Sequence, residues 1–402
     1  MDLIFISMSS WDNDISSAAL SLAKEFSKQH RVFYFDNPFT VKDFIADFQQ
    51  PKIRTRLKRF FSTKHRYQHL PTLGAKFYAV TPSLTLPINF LPKGSWLYRF
   101  FLRKNRRIIQ KNLQSLLQHY DVRHYIFFNS FNPFYHAILP KDQLPAFAVY
   151  QSRDDISQVT YGAKHGVQLE KEAIQESDIA FATSKELARK LQSLTQCPVH
   201  HLPNAVDLNS FPYPPPNNEK PSEIASVKEE IVCFVGNLDQ RVDYPLLFKI
   251  ARNHPDKLLL IIGPRNDQGY HQLDFSSLPN ILFIGPKPHH QLHHYLQFVS
   301  CTIIPFVKTT LTASIYPLKI NEYLAMGKPV VTTDFSKDVL SFKDICHISS
   351  DHASFSQLIT YAVIQANDND LVQQRVSFAQ QNSWKARVVS FWETVKSSLN
   401  HF

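Results

Sequence analysis

Glycine and cysteine are scarce in this sequence, with nine and four occurrences in 402 residues. The cysteines stand singly, so they show neither a disulfide framework nor metal-ligand spacing, and we expect them to be reduced core residues. No G-x-G-x-x-G motif follows the first apolar run, which argues against a dinucleotide-dependent dehydrogenase.

Long apolar runs are absent as well. No run approaches the roughly 20 apolar residues that a membrane-spanning helix needs. The apolar start, residues 1–7, meets polar residues at once and lacks the basic leader of a signal peptide, so we expect a cytoplasmic protein. With 44% hydrophobic and 19% charged residues the composition is that of a folded chain, and its length predicts two domains.

Acidic residues are missing from residues 48–120, which contain fifteen lysines and arginines. Two dense basic clusters, residues 52–66 and 99–111, are interleaved with aromatic residues, namely Phe60, Phe61, Trp96, Tyr98, Phe100 and Phe101. This mixture favours an anionic bilayer surface, where each nearby cation adds on the order of 1 kcal/mol. Nucleic acid is the competing partner, but no nucleic-acid motif is present, and a solvated basic face stays open as an alternative. We expect peripheral attachment to the inner face of the membrane and no nucleic-acid binding.

The first half of the chain alternates between apolar runs and helical patterns, which is typical of α/β folds. We predict strands at residues 2–7, 31–36, 125–128, 147–150 and 179–183, and helices at residues 16–29, 166–176 and 185–194. Ser184 is the predicted N-cap of the last helix, because its hydroxyl can accept a hydrogen bond from the free amides of the first turn.

A proline-rich stretch, residues 211–230, is predicted to be a linker between two domains. Strands are predicted after it at residues 231–235, 258–262, 281–284, 301–305 and 330–332. Gly236, Gly263 and Gly285 directly follow the first three of these strands. In a chain with so few glycines this placement indicates ligand-facing turns at one edge of a parallel sheet, with ordinary strand-to-loop turns as the alternative.

The most specific stretch is residues 314–333, SIYPLKINEYLAMGKPVVTT. Pro317 fits the first turn of a helix and Gly327 the position just past its end. Lys319 and Glu322 are three residues apart, so they share a face near the helix N-terminus, where an anion is favoured. A diphosphate bound there would meet the Lys319 ammonium, and the Glu322 carboxylate would accept hydrogen bonds from vicinal ribose hydroxyls. The alternative is a surface salt bridge without function.

This stretch resembles the nucleotide-sugar signature of GT-B glycosyltransferases, most of all that of family 4 and its relatives in bacterial surface-polysaccharide assembly. Similar elements occur in the expected order at residues 201–207 (HLPNAVD), 234–239 (FVGNLD), 280–285 (NILFIG), 301–306 (CTIIPF) and 382–384 (NSW). The resemblance covers about half of the chain, from residue 176 onward. It implies an α/β protein of two Rossmann-like domains facing a cleft, with a C-terminal helix that crosses back to the first domain.

The resemblance also implies the roles of individual residues. Glu322 would bind the ribose of a UDP-sugar or GDP-sugar donor, while Lys319 and Arg241 would bind its diphosphate and stabilise the leaving group, so that no metal is required. The remaining donor-binding positions are Gly236, Asn237, Pro317, Leu318 and Ser314. The family often has two glutamates eight residues apart, and Glu322 corresponds to the second of them. Ser314 stands at the position of the first, so the usual contact with the donor sugar is missing or replaced. Retaining stereochemistry is therefore expected from the family alone.

The acceptor side is predicted on the first domain. Ser10, Trp11 and Asp12 follow the first strand and would line the acceptor site. Asp154 and Asp155, after the strand at residues 147–150, are the candidate catalytic carboxylates, with loop capping as the alternative. Residues 12–14 also resemble the D-x-D metal motif of GT-A transferases. They follow the first strand too closely for the GT-A fold, so capping of the next helix is the preferred interpretation.

We therefore expect a hexosyltransferase of cell-surface polysaccharide synthesis that acts on a glycan or lipid-linked glycan. The predicted division is an acceptor-side domain at 1–210, the linker at 211–230, a nucleotide-sugar domain at 231–375, and a closing helix at 376–402. Two rivals stay open: a nucleotide-sugar epimerase of the same architecture, and a noncatalytic binding or scaffold protein, which Ser314 makes plausible.

Overall fold

The computed structural model of the protein describes residues 1–12, 17–158, 160–216, 219–266, 269 and 273–399. The chain forms two compact units. Residues 1–202 and 388–402 belong to the first, and residues 203–387 to the second. These bounds differ from the predicted division, because the segment expected to be a linker, residues 211–230, contributes the fully buried Phe211 and Ile224 to the core of the second unit.

The first unit is built on a sheet that has eight strands in the described part of the chain, in the order β3-β4-β2-β1-β5-β6-β7-β8. The strands are β1 Asp2–Ser7, β2 Val32–Phe35, β3 Tyr67–His69, β4 Phe77–Val80, β5 Tyr125–Ser130, β6 Phe147–Ser152, β7 Ile179–Ala182 and β8 Val199–His201. Only the β3–β4 pair among them is antiparallel. Because their side chains are buried on both faces, the central strands read as continuous apolar runs in the sequence.

The helices of the first unit are α1 Ala18–Phe26, α2 Val41–Ala46, α3 Pro51–Arg54, α4 Leu57–Phe61, α5 Trp96–His119, α6 Thr160–Ala163, α7 Gly166–Gln175 and α8 Lys185–Gln192. The predicted N-cap of α8 is confirmed, since Ser184 Oγ accepts a hydrogen bond from the Leu187 N–H at 3.1 Å. The longest helix, α5, was not predicted, because its many cations hide the apolar face. That face also contains Asn105 and Asn112, whose amides bond to the backbone of Leu86 and Ser83.

The second unit contains a fully parallel sheet, which has six strands within the described residues, in the order β11-β10-β9-β12-β13-β14. The strands are β9 Glu230–Val235, β10 Lys257–Ile262, β11 Ile281–Phe283, β12 Cys301–Ile304, β13 Val330–Thr333 and β14 His347–Ser349. The helices are α9 Tyr244–Asn253, α10 Leu292–Leu296, α11 Thr310–Ala313, α12 Leu318–Ala325, α13 His352–Ile364 and α14 Asn369–Gln381. The five predicted strands of this half are confirmed to within one or two residues.

The last helix, α15 (Trp384–Leu399), begins later than the closing helix predicted at 376–402, because residues 376–381 belong to α14; its residues from 388 onward belong to the first unit. Phe391 is fully buried there, with its ring 5.1 Å from that of Phe26 and 5.4 Å from that of Phe181. Among the described residues, no helix combines the length and the apolar character needed to span a bilayer.

Candidate functional site

Helix α12 is short because both of its ends are defined by the sequence. Pro317 is its N-cap, one position before the predicted first turn. At the other end Gly327 adopts φ +70°, a conformation that costs glycine little, and its N–H donates to the Leu324 carbonyl at 2.9 Å. The helix therefore ends where the sequence predicts.

One tyrosine fixes α12 against the end of β9. The Val235 N–H donates to the fully buried Tyr323 hydroxyl at 3.0 Å. Strand β9 lies between β10 and β12, which is the point where the strand order of this sheet reverses, and ligands of open α/β sheets bind at the carboxyl ends of strands at such points. Gly236 follows β9 directly, so α12 is held at this edge.

The Glu322 carboxylate is buried, with 3% of its side chain exposed, and it has two hydrogen-bonding partners, the Lys319 ammonium and the His289 imidazole. Lys319 Nζ donates to Oε2 at 2.7 Å, and His289 Nε2 lies 2.9 Å from Oε1. Burial by itself would raise the pKa of Glu322, but Lys319 and His289 outweigh burial and lower the pKa to about 2. Glu322 is therefore held in its ionised form, and its i,i+3 salt bridge with Lys319 has a buried carboxylate rather than one on an exposed helix face.

The first turn of α12 offers fewer free amides than expected. The Leu318 N–H donates to the Tyr316 carbonyl at 2.9 Å, and the Ile320 N–H to the Pro317 carbonyl at 3.1 Å. An anion at this end would therefore depend chiefly on the Lys319 ammonium, whose side chain is 29% exposed, assisted by the positive end of the helix dipole.

His289 is a component of the site that sequence reasoning missed. It begins a short 3-10 helix, His289–Gln291, in the connection that follows β11 and starts with Gly285, one of the three strand-end glycines. Its partner Glu322 is 33 residues away, so no local spacing points to the contact. The only available signal was the position of this loop at the carboxyl edge of a parallel strand.

Arg241 and the turn after β9 form a separate cluster. Arg241 donates to both carboxylate oxygens of Asp239, at 2.8 and 2.6 Å, and its guanidinium lies 5.6 Å from the Phe306 ring centroid. The guanidinium is thus already in a bidentate pair, rather than held for a diphosphate alone. Gly236 and Gly263 approach so closely that a Cβ on Gly263 would lie 1.9 Å from the Gly236 carbonyl oxygen. Asn237 is half-buried beside them.

Ser314 stands at the position of the missing glutamate. It is buried at the C-cap of α11, and its hydroxyl donates to the Leu311 carbonyl at 2.8 Å. Pro317 is buried and Leu318 is half-buried, so both shape the wall of the turn that leads into α12.

In the first unit, Asp155 is occupied by structural contacts. Lys190 Nζ donates to its Oδ2 at 2.6 Å, and the Ser157 hydroxyl donates to Oδ1 at 2.6 Å. Burial alone would raise the pKa of Asp155, but these hydrogen bonds lower it below its usual value. Loop capping thus accounts for Asp155, whereas the neighbouring Asp154 is exposed.

Trp11 and Asp12 contact a buried arginine of the same unit. Arg56 is 1% exposed, pairs with Asp12 at 2.8 Å and with Asp36 at 3.1 Å, and lies 5.3 Å from the Trp11 ring centroid. Burial raises the pKa of Asp36 to about 6 although Arg56 opposes the shift. The Trp11 Nε1 and one Asp12 carboxylate oxygen are buried without a hydrogen-bond partner among the described residues. Ser10 is half-buried beside them.

The two basic clusters predicted to face a membrane, residues 52–66 and 99–111, are only partly exposed. Arg56, Phe60, Arg66 and Tyr98 are buried, because their side chains pack into the first unit. The exposed apolar side chains of this region are Val41, Ile45, Phe48, Phe61, Phe90, Trp96 and Phe100, and the exposed cations of the two clusters are Lys52, Arg54, Lys58, Lys64, Arg99, Arg103, Lys104, Arg107 and Lys111.

In the described ranges, no group of three or more histidine, cysteine, aspartate or glutamate side chains is arranged to hold an ion. Of the D-x-D-like residues only Asp12 is described, and it pairs with Arg56. Residues 13 and 14 lie outside the described part of the chain.

Comparison with known proteins finds a family match within the second half of the chain. Residues 217–341 match the sequence model of the family described as Glycosyl transferases group 1. The chain is also 27% identical over 208 residues to TuaH of Bacillus subtilis (strain 168), a proposed teichuronic acid biosynthesis glycosyltransferase. That match covers 50% of this chain and 51% of TuaH, so the chain spans about half the length of this curated relative.

Solved structures match over the whole chain. A sucrose-phosphate synthase from Thermosynechococcus elongatus superposes with a TM-score of 0.67 at 14% identity, covering 100% of both chains. A structure described as trehalose-6-phosphate from E. coli bound with UDP-2-fluoro glucose matches with a TM-score of 0.68 at 10% identity, covering 98% of this chain and 99% of the other. At such identities the likeness establishes the fold, which is GT-B.

Proposed function

We propose that the chain is a GT-B glycosyltransferase that moves a hexosyl unit from a nucleotide diphosphate sugar to a glycan acceptor. The acceptor we propose is a glycan or lipid-linked glycan of cell-surface polysaccharide synthesis, and TuaH, by its description, acts in the synthesis of such a polymer. The donor is a UDP-sugar or GDP-sugar, and the family 4-like signature favours retention at the anomeric carbon.

The observation that carries this proposal is the pairing of the buried Glu322 carboxylate with the half-buried Lys319 ammonium in α12. Glu322 is an ionised carboxylate in a site with few exposed atoms, and such a group accepts strong hydrogen bonds from ribose hydroxyls. Lys319 is close enough to share its charge between this carboxylate and a phosphate, because an ammonium has three donors. The pair therefore supports nucleotide binding.

The departing nucleotide diphosphate is stabilised, in this proposal, by Lys319 and the dipole of α12 rather than by a required metal. Arg241 assists if its guanidinium turns one edge to the phosphate while keeping Asp239 on the other, which its five donors permit. Ser314, Gly236, Asn237, Pro317 and Leu318 complete the predicted donor site.

For the acceptor we propose the carboxyl edge of the first unit's sheet. The buried Trp11 N–H and Asp12 oxygen, which have no partner among the described residues, support this placement, since acceptor hydroxyls can hydrogen-bond to such groups. Ser10 and Asp154 lie in loops that follow β1 and β6 at the same edge. Asp154 is the better candidate than Asp155 for the base, because Asp155 is already paired.

Attachment to an anionic membrane is proposed through the exposed part of the basic region. Ile45 and Phe61 are each 71% exposed, and the cations Lys52 and Lys58 are exposed in the same run of short helices. Apolar rings with nearby cations bind the headgroup zone of anionic bilayers. This would place a cytoplasmic enzyme beside a lipid-linked acceptor.

Turnover assays test the proposed activity. We expect release of UDP or GDP from a nucleotide sugar only when a glycan acceptor is present. Glu322→Ala and Lys319→Ala should each lower kcat/KM by at least tenfold, about 1.4 kcal/mol of transition-state stabilisation, whereas the exposed Glu219→Ala should not. Epimerised donor in acceptor-free incubations would favour the epimerase, and wild-type protein that binds no donor would favour the scaffold.

Vesicle sedimentation tests the membrane proposal. The wild-type protein should sediment with phosphatidylglycerol vesicles and less with phosphatidylcholine vesicles. Phe61→Ser should weaken this binding, and Leu144→Ser, which changes an apolar side chain that is also 63% exposed, should leave it unchanged. Equal, negligible sedimentation with both vesicle types would contradict membrane attachment.

A further inference from the structure

The Glu322 carboxylate can accept two more hydrogen bonds besides those from Lys319 and His289. An ionised carboxylate offers about four lone-pair positions, two on each oxygen. Lys319 occupies one position on Oε2 and His289 one on Oε1. One position therefore remains on each oxygen, which matches two vicinal hydroxyls.

The loop that carries His289 is held in place independently of Glu322. Lys287, two residues earlier, forms an ion pair with Glu223, and the Tyr295 hydroxyl donates to the same Glu223 oxygen at 3.2 Å. The Phe211 ring and the His289 imidazole pack in a T-shaped arrangement, with ring centroids 5.2 Å apart and planes at 82°. Phe211 thus packs on the imidazole while Glu223 holds the residues on either side of it, so the contact of His289 with Glu322 is part of a built arrangement.

We propose that His289 is a positioning residue of the donor site: it fixes the rotation of the Glu322 carboxylate, so that Oε1 and Oε2 each present a free lone pair to the two vicinal hydroxyls of the donor ribose. This inference rests on the proposed function. Without His289 the carboxylate is held at one oxygen only and can rotate about Lys319, which would misalign both remaining lone pairs. Loss of His289 should therefore weaken the binding of the ribose hydroxyls more than the binding of the diphosphate.

Calorimetric titration of four proteins tests this role: wild type, His289→Ala, His289→Gln and His290→Ala. The ligands are UDP or GDP, whichever binds the wild type more tightly, and its 2′-deoxy analogue. The His290 variant is a matched control, because His290 is the next residue in the chain and is exposed.

We expect His289→Ala to weaken binding of the ribonucleotide about tenfold, the typical effect of losing a hydrogen bond to a charged group, and to weaken the deoxynucleotide much less. His289→Gln, whose amide can donate to Oε1, should restore part of the preference for the ribonucleotide, and His290→Ala should change neither affinity by more than about twofold. A merely structural role would weaken both ligands equally.

The outcomes separate this inference from the proposed function. If the wild type binds neither nucleotide, both are overturned. If the wild type prefers the ribonucleotide and His289→Ala keeps the same preference, the positioning role is wrong while the nucleotide site stands.

Discussion

The pairing of Glu322 makes a quantitative prediction for Glu322→Gln. The pKa of Glu322 falls from its usual 4.5 to about 2 in the folded protein. A difference of this size corresponds to about 3 kcal/mol, at 1.36 kcal/mol for each pKa unit. Because the folded pKa is the lower one, this stabilisation is present above pH 4.5 and is lost as the pH falls towards 2. Glutamine cannot ionise, so the Glu322→Gln variant should lack this stabilisation of about 3 kcal/mol at pH 7.

Differential scanning calorimetry at pH 7 measures the effect. For a unit the size of the second one, a loss of about 3 kcal/mol lowers Tm by roughly 6 to 12 °C. The exposed Glu219→Gln is the control in the same unit and should shift Tm by less than about 2 °C. The difference between wild type and Glu322→Gln should shrink as the pH is lowered from 4.5 to 3.

The sign of the shift is the decisive part. A buried carboxylate without adequate partners would destabilise the fold through its desolvation, and replacing it by glutamine would then raise Tm. Unchanged or increased stability of Glu322→Gln at pH 7 would therefore refute the conclusion that Lys319 and His289 hold the carboxylate in its ionised form.

Two further predictions concern the first unit. Burial raises the pKa of Glu170 to about 7, so stability contributed by its protonated form is present below pH 4.5 and is lost as the pH rises towards 7. In the wild type, Glu170 should lower the free energy of unfolding by about 2 to 3 kcal/mol between pH 5 and 8, and Glu170→Gln should lack this decrease. Urea denaturation measures it, and the same pH dependence in variant and wild type would contradict the prediction. Arg56→Met leaves Asp36 buried without its partner and should lower the free energy of unfolding by about 3 to 5 kcal/mol. The control Lys52→Met, at an exposed position, should lower it by less than about 0.5 kcal/mol. Equal decreases in Tm for the two variants would show that the buried Arg56–Asp36 pair does not stabilise the first unit.

The sequence predicts those features of the fold that local patterns encode. Strands such as β1 and β9 are continuous apolar runs, and Ser184 and Gly327 mark helix ends through their own chemistry, so these elements occur where expected. Helix α5 was missed because a basic surface lowers its overall hydropathy, and only the packed structure separates the exposed cations from the buried face.

The candidate site divides in the same way. Lys319 and Glu322 lie one turn apart on a single helix, so their pairing is visible from spacing. His289 reaches Glu322 across 33 residues, and Arg56 reaches Asp36 across 20. Contacts at such separations depend on how strands and loops are arranged in three dimensions, and a single sequence carries no local signal for them.

The most direct measurement is a crystal structure of the protein with UDP or GDP bound. We predict both ribose hydroxyls within about 3.2 Å of the Glu322 carboxylate, one at each oxygen, and a phosphate oxygen at the Lys319 ammonium. A nucleotide bound with its ribose away from α12, or with its diphosphate held by other cations only, would contradict the account.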